Sequence, residues 1–191
     1  MRALLDGPDA LRGLRRVAGE IVERHRGVDG LLLVGVRRGG VPLAEQLALL
    51  LREIEGQDVP LGSVDITLYR DDAATALPNP RIGPTRMPVA VDGRRVVLVD
   101  DVLFTGRTVR AAVDAILDYG RPERIELCVL VDRGGRELPI QADYCVKQAH
   151  VDATERVDVF FEDGAPRAVV QSAHHPSIPP GGPAPGSEKT S

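Results

Sequence analysis

Lysine is nearly missing from this sequence: only Lys147 and Lys189 occur, and the remaining basic charge is arginine, a bias that carries no functional reading by itself. Cysteine is almost as scarce. Cys128 and Cys145 sit in apolar, strand-like segments without metal-ligand spacing, which excludes a disulfide framework and a thiolate metal site and fits reduced core residues of a cytosolic protein. Long apolar runs are lacking too, since LLLVGV and VVLV are far too short to cross a bilayer. No charged-then-apolar leader opens the sequence, so secretion is not expected. With a net charge of −4 there is no general basic coat for nucleic acid, although a local patch stays open. No G-x-G-x-x-G follows the first apolar strand, which sets aside a Rossmann dehydrogenase. There is no internal repeat.

What is present is the balance of a soluble globular chain, with 191 residues, 43% apolar and 27% charged, enough for one domain with a full core. Residues 9 to 25 carry Leu11, Leu14, Val17, Ala18, Ile21 and Val22 at helical spacing, with Asp9 as the expected cap. The run GLLLVGV (30–36) is followed by RRGG and a second helix over 41–56, with Pro42 in its first turn. SVDITLY (63–69) alternates as a half-buried strand. Residues 70 to 94 hold Pro78, Pro80, Pro84 and Pro88 without a clear period and read as a long mobile loop. Strands at 96–100, 124–132, 142–148 and 156–163 and a helix over 108–120 complete the expected elements. Strands alternating with helices predict an α/β fold with a mostly parallel sheet over residues 1–172. After Ser172 the Pro/Gly-rich tail, 173–191, is expected to be disordered.

The stretch VVLVDDVLFTGRTVRA (96–111) joins two chemistries that should repel. An apolar strand ends in Asp100 and Asp101, and then Thr105, Gly106, Arg107 and Thr108 form a turn whose successive N–H groups, at a helix start, suit a phosphate. Ligands of open α/β sheets sit at the carboxyl ends of strands, where this loop belongs. A ribose reconciles the two charges: vicinal hydroxyls donate to the acids while the loop holds the 5′-phosphate. A simpler reading, two acids capping a helix beside a tight turn, accounts for less of the pattern.

This stretch resembles the phosphoribosyl pyrophosphate (PRPP) signature of type I phosphoribosyltransferases. With DITLYRDD (65–72) and VLVDRGGRELPIQADY (129–144) it is similar to the PyrR family, pyrimidine operon attenuation regulators that are also uracil phosphoribosyltransferases. The resemblance covers about residues 3 to 171 and implies a central, mostly parallel sheet flanked by helices, a small hood and a flexible lid. It implies that Asp100 and Asp101 hold the ribose hydroxyls and that Val102, Leu103, Phe104, Thr105, Gly106, Arg107 and Thr108 wrap the 5′-phosphate. Arg37, Arg38 and Gly39 would form the pyrophosphate loop, Gly39 standing where the family more often has arginine. Arg70 at the lid would neutralise departing pyrophosphate, though a solvated loop charge is the plainer reading. The Asp132-Arg133-Gly134 turn and Val157 would meet the base. Implied as well are Mg²⁺ as cofactor, PRPP and uracil or UMP as ligands, dimers or higher assemblies, and a cytoplasmic setting. QAHVDATE (148–155) departs from the family's Pro-Thr-Ser stretch near the base.

Family members with an attenuation role bind pyrimidine operon leader mRNA. Here Arg12, Arg15, Arg16, Arg24 and Arg26 crowd the first helix, and Arg136 and Lys147 extend the patch; a solvated helix face is the competing reading. No aromatic side chain in that helix offers a stacking platform. An RNA-binding regulator that turns over poorly and a purine-type phosphoribosyltransferase remain alternatives, the latter less suited because no aromatic residue stands within the DRG turn.

Overall fold

The structure, a computed structural model, describes residues 1–67 and 85–172. Along them run β1 (Arg2–Leu5), α1 (Gly7–His25), β2 (Leu31–Val36), α2 (Gly40–Glu55), β3 (Leu61–Val64), β4 (Arg95–Leu103), α3 (Arg107–Leu117), β5 (Arg124–Asp132), β6 (Tyr144–Gln148), β7 (Glu155–Glu162) and β8 (Ala165–Ser172). Arg70 and its neighbours Tyr69, Asp71 and Asp72, and the tail from 173 onward, lie outside the described residues.

Every residue of β2 is buried, as a strand that is apolar on both faces requires when both are covered. Alternate side chains go to opposite layers. Leu31 and Leu33 join Val97, Val99 and Cys128 in a core with α1 and α2, while Leu32 and Val34 join Leu98 and Val129 in a core with α3. The sheet is five-stranded and parallel, in the order β3-β2-β4-β5-β6. A second sheet, β1-β8-β7, is antiparallel and packs Val157, Val159 and Ala168 onto the first core.

Several boundaries differ from those expected, each for a local reason. Asp6 rather than Asp9 caps α1, its Oδ1 accepting the Asp9 N–H at 2.8 Å, with Pro8 in the first turn. β3 stops at Val64 because Asp65 accepts the Thr67 N–H at 2.9 Å, turning the chain. Beyond the undescribed segment, Arg86 exchanges two 2.8 Å backbone bonds with Ser63 and Val91 is fully buried, so residues 86–94 are anchored rather than mobile. β4 runs past Asp100 to Leu103 because β5 pairs with it that far, Leu103 opposite Asp132. α3 ends at Leu117, and Gly120 belongs to the next turn, where its φ of 143° and the Asp92 carboxylate beside it exclude a side chain. β1 and β8 were not expected; their pairing joins residues more than 160 positions apart, beyond any local pattern.

Candidate active site

The connections leaving β2 and β4 diverge between two neighbouring parallel strands, the place where open α/β sheets leave a crevice. The RRGG turn closes on this crevice. A Cβ on Gly40 would lie 2.1 Å from the Val99 carbonyl oxygen, and one on Gly39 would lie 2.0 Å from Asp101 Oδ2. Glycine therefore lets the start of α2 rest directly against the two acids. Arg37 donates its N–H to the Val64 carbonyl at 2.9 Å and turns its guanidinium to Ser63 Oγ at 3.4 Å, while Arg38 is exposed. The Arg37–Arg38 peptide is cis.

Asp100 and Asp101 lie within the strand, not after it. Asp100 is only 5% exposed and accepts the Asp101 N–H at 3.0 Å; Asp101 accepts the Val102 N–H at 2.8 Å. Burial first, and then the charge of Asp101, push Asp100 well above the ordinary carboxylate range. Asp101 is raised as well, mainly by burial, with the Val102 amide pulling it back and Asp158 of β7 adding to the rise. The two carboxyls thus oppose one another's ionisation.

Immediately beyond, Gly106 takes a φ of 92° and starts α3, which has no side-chain cap and no acid in its first turn. The Arg107 N–H that opens the helix donates to Thr105 Oγ1 at 3.3 Å, and a cavity of about 410 Å³ lined by Val102 to Val109 and Glu137 adjoins this helix start. The chain after β5 buttresses this loop. Glu137 and Leu138 donate their N–H groups to the Thr105 carbonyl at 3.0 and 3.1 Å, and Arg133 donates its own to Leu103 at 3.1 Å. Arg107 pairs with Glu137 at 2.7 Å. The Arg136 guanidinium donates to the Phe104 and Ile140 carbonyls, both at 2.9 Å, and to Asp132 Oδ2 at 2.5 Å. Arg136, read from sequence as extending a basic patch, is half-buried and directs these three bonds into the loop. Arg133 is 6% exposed, stacks on the Phe104 ring at 4.0 Å and donates to the Glu155 and Asp152 carbonyls at 2.9 and 3.1 Å. Val157 packs toward the core. Among the described residues, the buried side-chain nitrogens without a partner are Arg37 Nε and Arg133 Nε, both at this edge of the sheet.

The arginines of α1 do not converge into one stripe. Arg15 pairs with Glu53 of α2 at 3.0 Å, Arg12 with Asp9, and Arg16 with Glu20. Arg16 also donates to the Cys145 carbonyl at 2.9 Å, fixing α1 on edge strand β6. Arg26 is the left-handed residue closing α1, and Lys147 is exposed on β6.

A second polar cluster, unforeseen from sequence, lies at the opposite end of the sheet. Glu126 Oε2 meets His25 Nε2 at 2.6 Å and accepts from the Tyr144 hydroxyl at 3.2 Å, while Arg24 and Arg124 approach Oε1 at 3.4 and 3.5 Å. Arg95 Nη1 stands 3.1 Å from His25 Nδ1. A guanidinium has no acceptor, so Nδ1 accepts there and Nε2–H faces Glu126. Burial alone would raise Glu126, but the hydrogen bonds from His25, Tyr144 and Arg24 outweigh it and hold the carboxyl below its usual value. A lone acid within RIELCVLV was the available signal.

This fold has a known counterpart. Residues 1–160 match the family described as the phosphoribosyl transferase domain, and the fold recurs in solved enzymes of that class. A hypoxanthine-guanine phosphoribosyltransferase from Bacillus anthracis aligns with a TM-score of 0.61 at 18% identity, over 78% of this chain and 83% of that one. The hypoxanthine phosphoribosyltransferase of Trypanosoma cruzi aligns with a TM-score of 0.61 at 21% identity, over 77% and 75%. The sequence is 55% identical to the bifunctional protein PyrR of Geobacter sulfurreducens over 83% of this chain and 90% of that one. It is 53% identical to that of Pelotomaculum thermopropionicum, over 87% and 93%. The chain belongs to the PyrR family of phosphoribosyltransferases.

Proposed function

We propose that the chain transfers phosphoribose from PRPP to uracil, releasing UMP and pyrophosphate, and that it also regulates a pyrimidine operon by UMP-dependent binding of leader mRNA. The observation that carries the transferase reading is the Asp100–Asp101 pair, with Asp100 buried and Asp101 pressed by Gly39, followed at once by the glycine-led start of α3. Asp100 and Asp101 accept the ribose hydroxyls, and the Thr105–Thr108 amides hold the 5′-phosphate. The Arg37–Gly39 turn and Arg38 receive pyrophosphate, with Arg70 assisting from the lid. The Asp132–Gly134 backbone and Val157 orient the base. C1–O cleavage leaves positive charge on the ribose and negative charge on pyrophosphate, so these residues act by positioning and electrostatics rather than as nucleophiles.

Among the described residues no group of three or more His, Cys, Asp or Glu side chains is placed to hold a metal. Magnesium is commonly held by one or two carboxylates together with substrate phosphates. Asp100 and Asp101 suit such a shared site, and Mg²⁺ there would offset the negative charge of pyrophosphate. No helix among the described residues is long and apolar enough to cross a membrane.

Mixing the protein with PRPP, Mg²⁺ and single bases tests the reading. Pyrophosphate release with uracil is expected; release only with hypoxanthine or guanine would replace it with purine salvage. The regulatory half draws on the relatives being called bifunctional, with Arg15, Arg16, Arg26 and Lys147 as the proposed RNA contacts. Gel shifts with the pyrimidine leader should tighten on adding UMP, and binding equal to random RNA would remove this half.

A further inference from the structure

Arg133 combines features that a simple ligand contact does not need. It is almost fully buried, yet its guanidinium lies between two separate parts of the crevice. One face covers the Phe104 ring at 4.0 Å, and its two terminal nitrogens reach the Glu155 and Asp152 carbonyls at 2.9 and 3.1 Å. Phe104 belongs to the phosphate loop, whereas 152–155 is the segment that leads into β7 and Val157. The ring is closed off on another side by Gly135, where a Cβ would stand 2.5 Å from the ring. Phe104 is nevertheless 40% exposed, and it lines the cavity at α3. Phenylalanine has no proton to exchange and no polar group to offer. A ring held by a cation on one face and exposed elsewhere can act on a planar, uncharged ligand through shape and stacking.

We infer that Arg133 is a positioning residue, a strut that fixes Phe104 as an aromatic wall of the base subsite and ties that wall to the 152–155 segment, while its guanidinium touches no substrate. This rests on the transferase reading and goes beyond it, since it gives base orientation to the strut and leaves phosphate binding to the loop amides. The phosphate loop has its own supports in Arg136 and the 137–138 amides. Loss of Arg133 therefore loosens the base side selectively.

The test uses Arg133→Met, Arg133→Lys, Phe104→Leu and Phe104→Tyr in the full chain, with PRPP and base varied separately. Arg133→Met should raise KM for the base about tenfold and leave KM for PRPP within about twofold, because orientation rather than phosphate binding is lost. Phe104→Leu should reproduce this split, and Phe104→Tyr, which keeps the ring, should raise the base KM less than Phe104→Leu does. Arg133→Lys should restore less than half of the loss, since one ammonium cannot serve two carbonyls and a ring together. Combining Arg133→Met with Phe104→Leu should add less than about twofold to the base KM, the mark of a shared pathway. Amide exchange over residues 152–157 should quicken in Arg133→Met and not in Phe104→Leu. Equal rises in both KM values, additive effects, or unchanged exchange in that segment would overturn the strut. Should Arg133→Met not fold, Arg133→Lys and Phe104→Leu carry the same split. If the wild type uses a base other than uracil, the uracil reading fails, while the KM split with that base still decides the strut. If no base is turned over, the exchange result alone decides it.

Discussion

The central sheet buries acid at both ends, and the two ends treat it oppositely. At the amino end Glu126 is surrounded by His25, Tyr144, Arg24 and Arg124, and its carboxyl is held below the usual range. At the carboxyl end burial and the charge of Asp101 beside it push Asp100 well above that range, and Asp101 is itself raised by burial and, less, by Asp158. Both are almost fully buried, so depth does not separate them; partners do. The difference teaches where each end gets its stability. Glu126 is completed by charged and hydroxyl side chains of its own chain, whereas Asp100 and Asp101 receive the backbone amides of Asp101 and Val102, and such an imbalance marks a candidate functional site.

The strongest way to break this comparison is to remove the charge where ligand should supply the partner. Asp101→Asn and Asp100→Asn should each lower kcat/KM by about 10²- to 10³-fold, the range for losing one preorganised electrostatic contact. Steady-state pyrophosphate release checks it. Activity within tenfold of wild type would make the acids structural and the two ends equivalent. The next largest effect belongs to the other end. Glu126→Ala strands His25 and the Tyr144 hydroxyl in a buried site, and should cost about 3 kcal/mol of stability, measured by urea unfolding, with KM values unchanged for the folded fraction.

A third measurement sharpens the contrast through its sign. A carboxyl with a raised folded-state pKa stabilises the fold below its ordinary range and loses that contribution as pH rises through the raised value. Asp100 should therefore cost stability on going from about pH 4 toward neutrality, and Asp100→Asn should gain on wild type over that span. Glu126, held low, contributes above the ordinary carboxylate range and loses its contribution as pH falls. Glu126→Gln should therefore lag wild type at neutral pH and converge with it in acid. Urea midpoints across pH for the three proteins give both slopes, and parallel slopes would remove the distinction between the ends.

How much of this was legible in sequence depends on distance along the chain. The candidate site loop could be singled out because its strand, acids, turn and helix start are contiguous over sixteen residues, 96–111. The Glu126 cluster was not, because His25 and Glu126 are separated by 101 positions and only the fold joins them. Gly39 and Gly40 could be read as a turn, but their steric necessity depends on Val99 and Asp101 of a neighbouring strand. Arg136 showed its charge and hid its use, since the carbonyls it serves lie in a loop whose path no periodicity describes. Arg15 and Arg16, three or four residues from their like-charged neighbours, read as one basic face, yet they turn toward α2 and β6 respectively.

The smallest expected effect probes whether the amino-end cluster is redundant. Arg124 reaches Glu126 at 3.5 Å with a side chain that is 62% exposed, so water already screens it and two long side-chain torsions must be held to make the contact. Arg124→Ala should change stability by no more than about 0.5 kcal/mol, because His25 and Tyr144 still donate to Glu126 from within the core. Urea midpoints within error of wild type, beside the large loss in Glu126→Ala, would place the cluster's energy in its buried members. A loss above about 1 kcal/mol would instead mean that Glu126 depends on surface charge, and the amino end would then be an incompletely neutralised acid site, much closer in kind to the pair at the other end of the sheet.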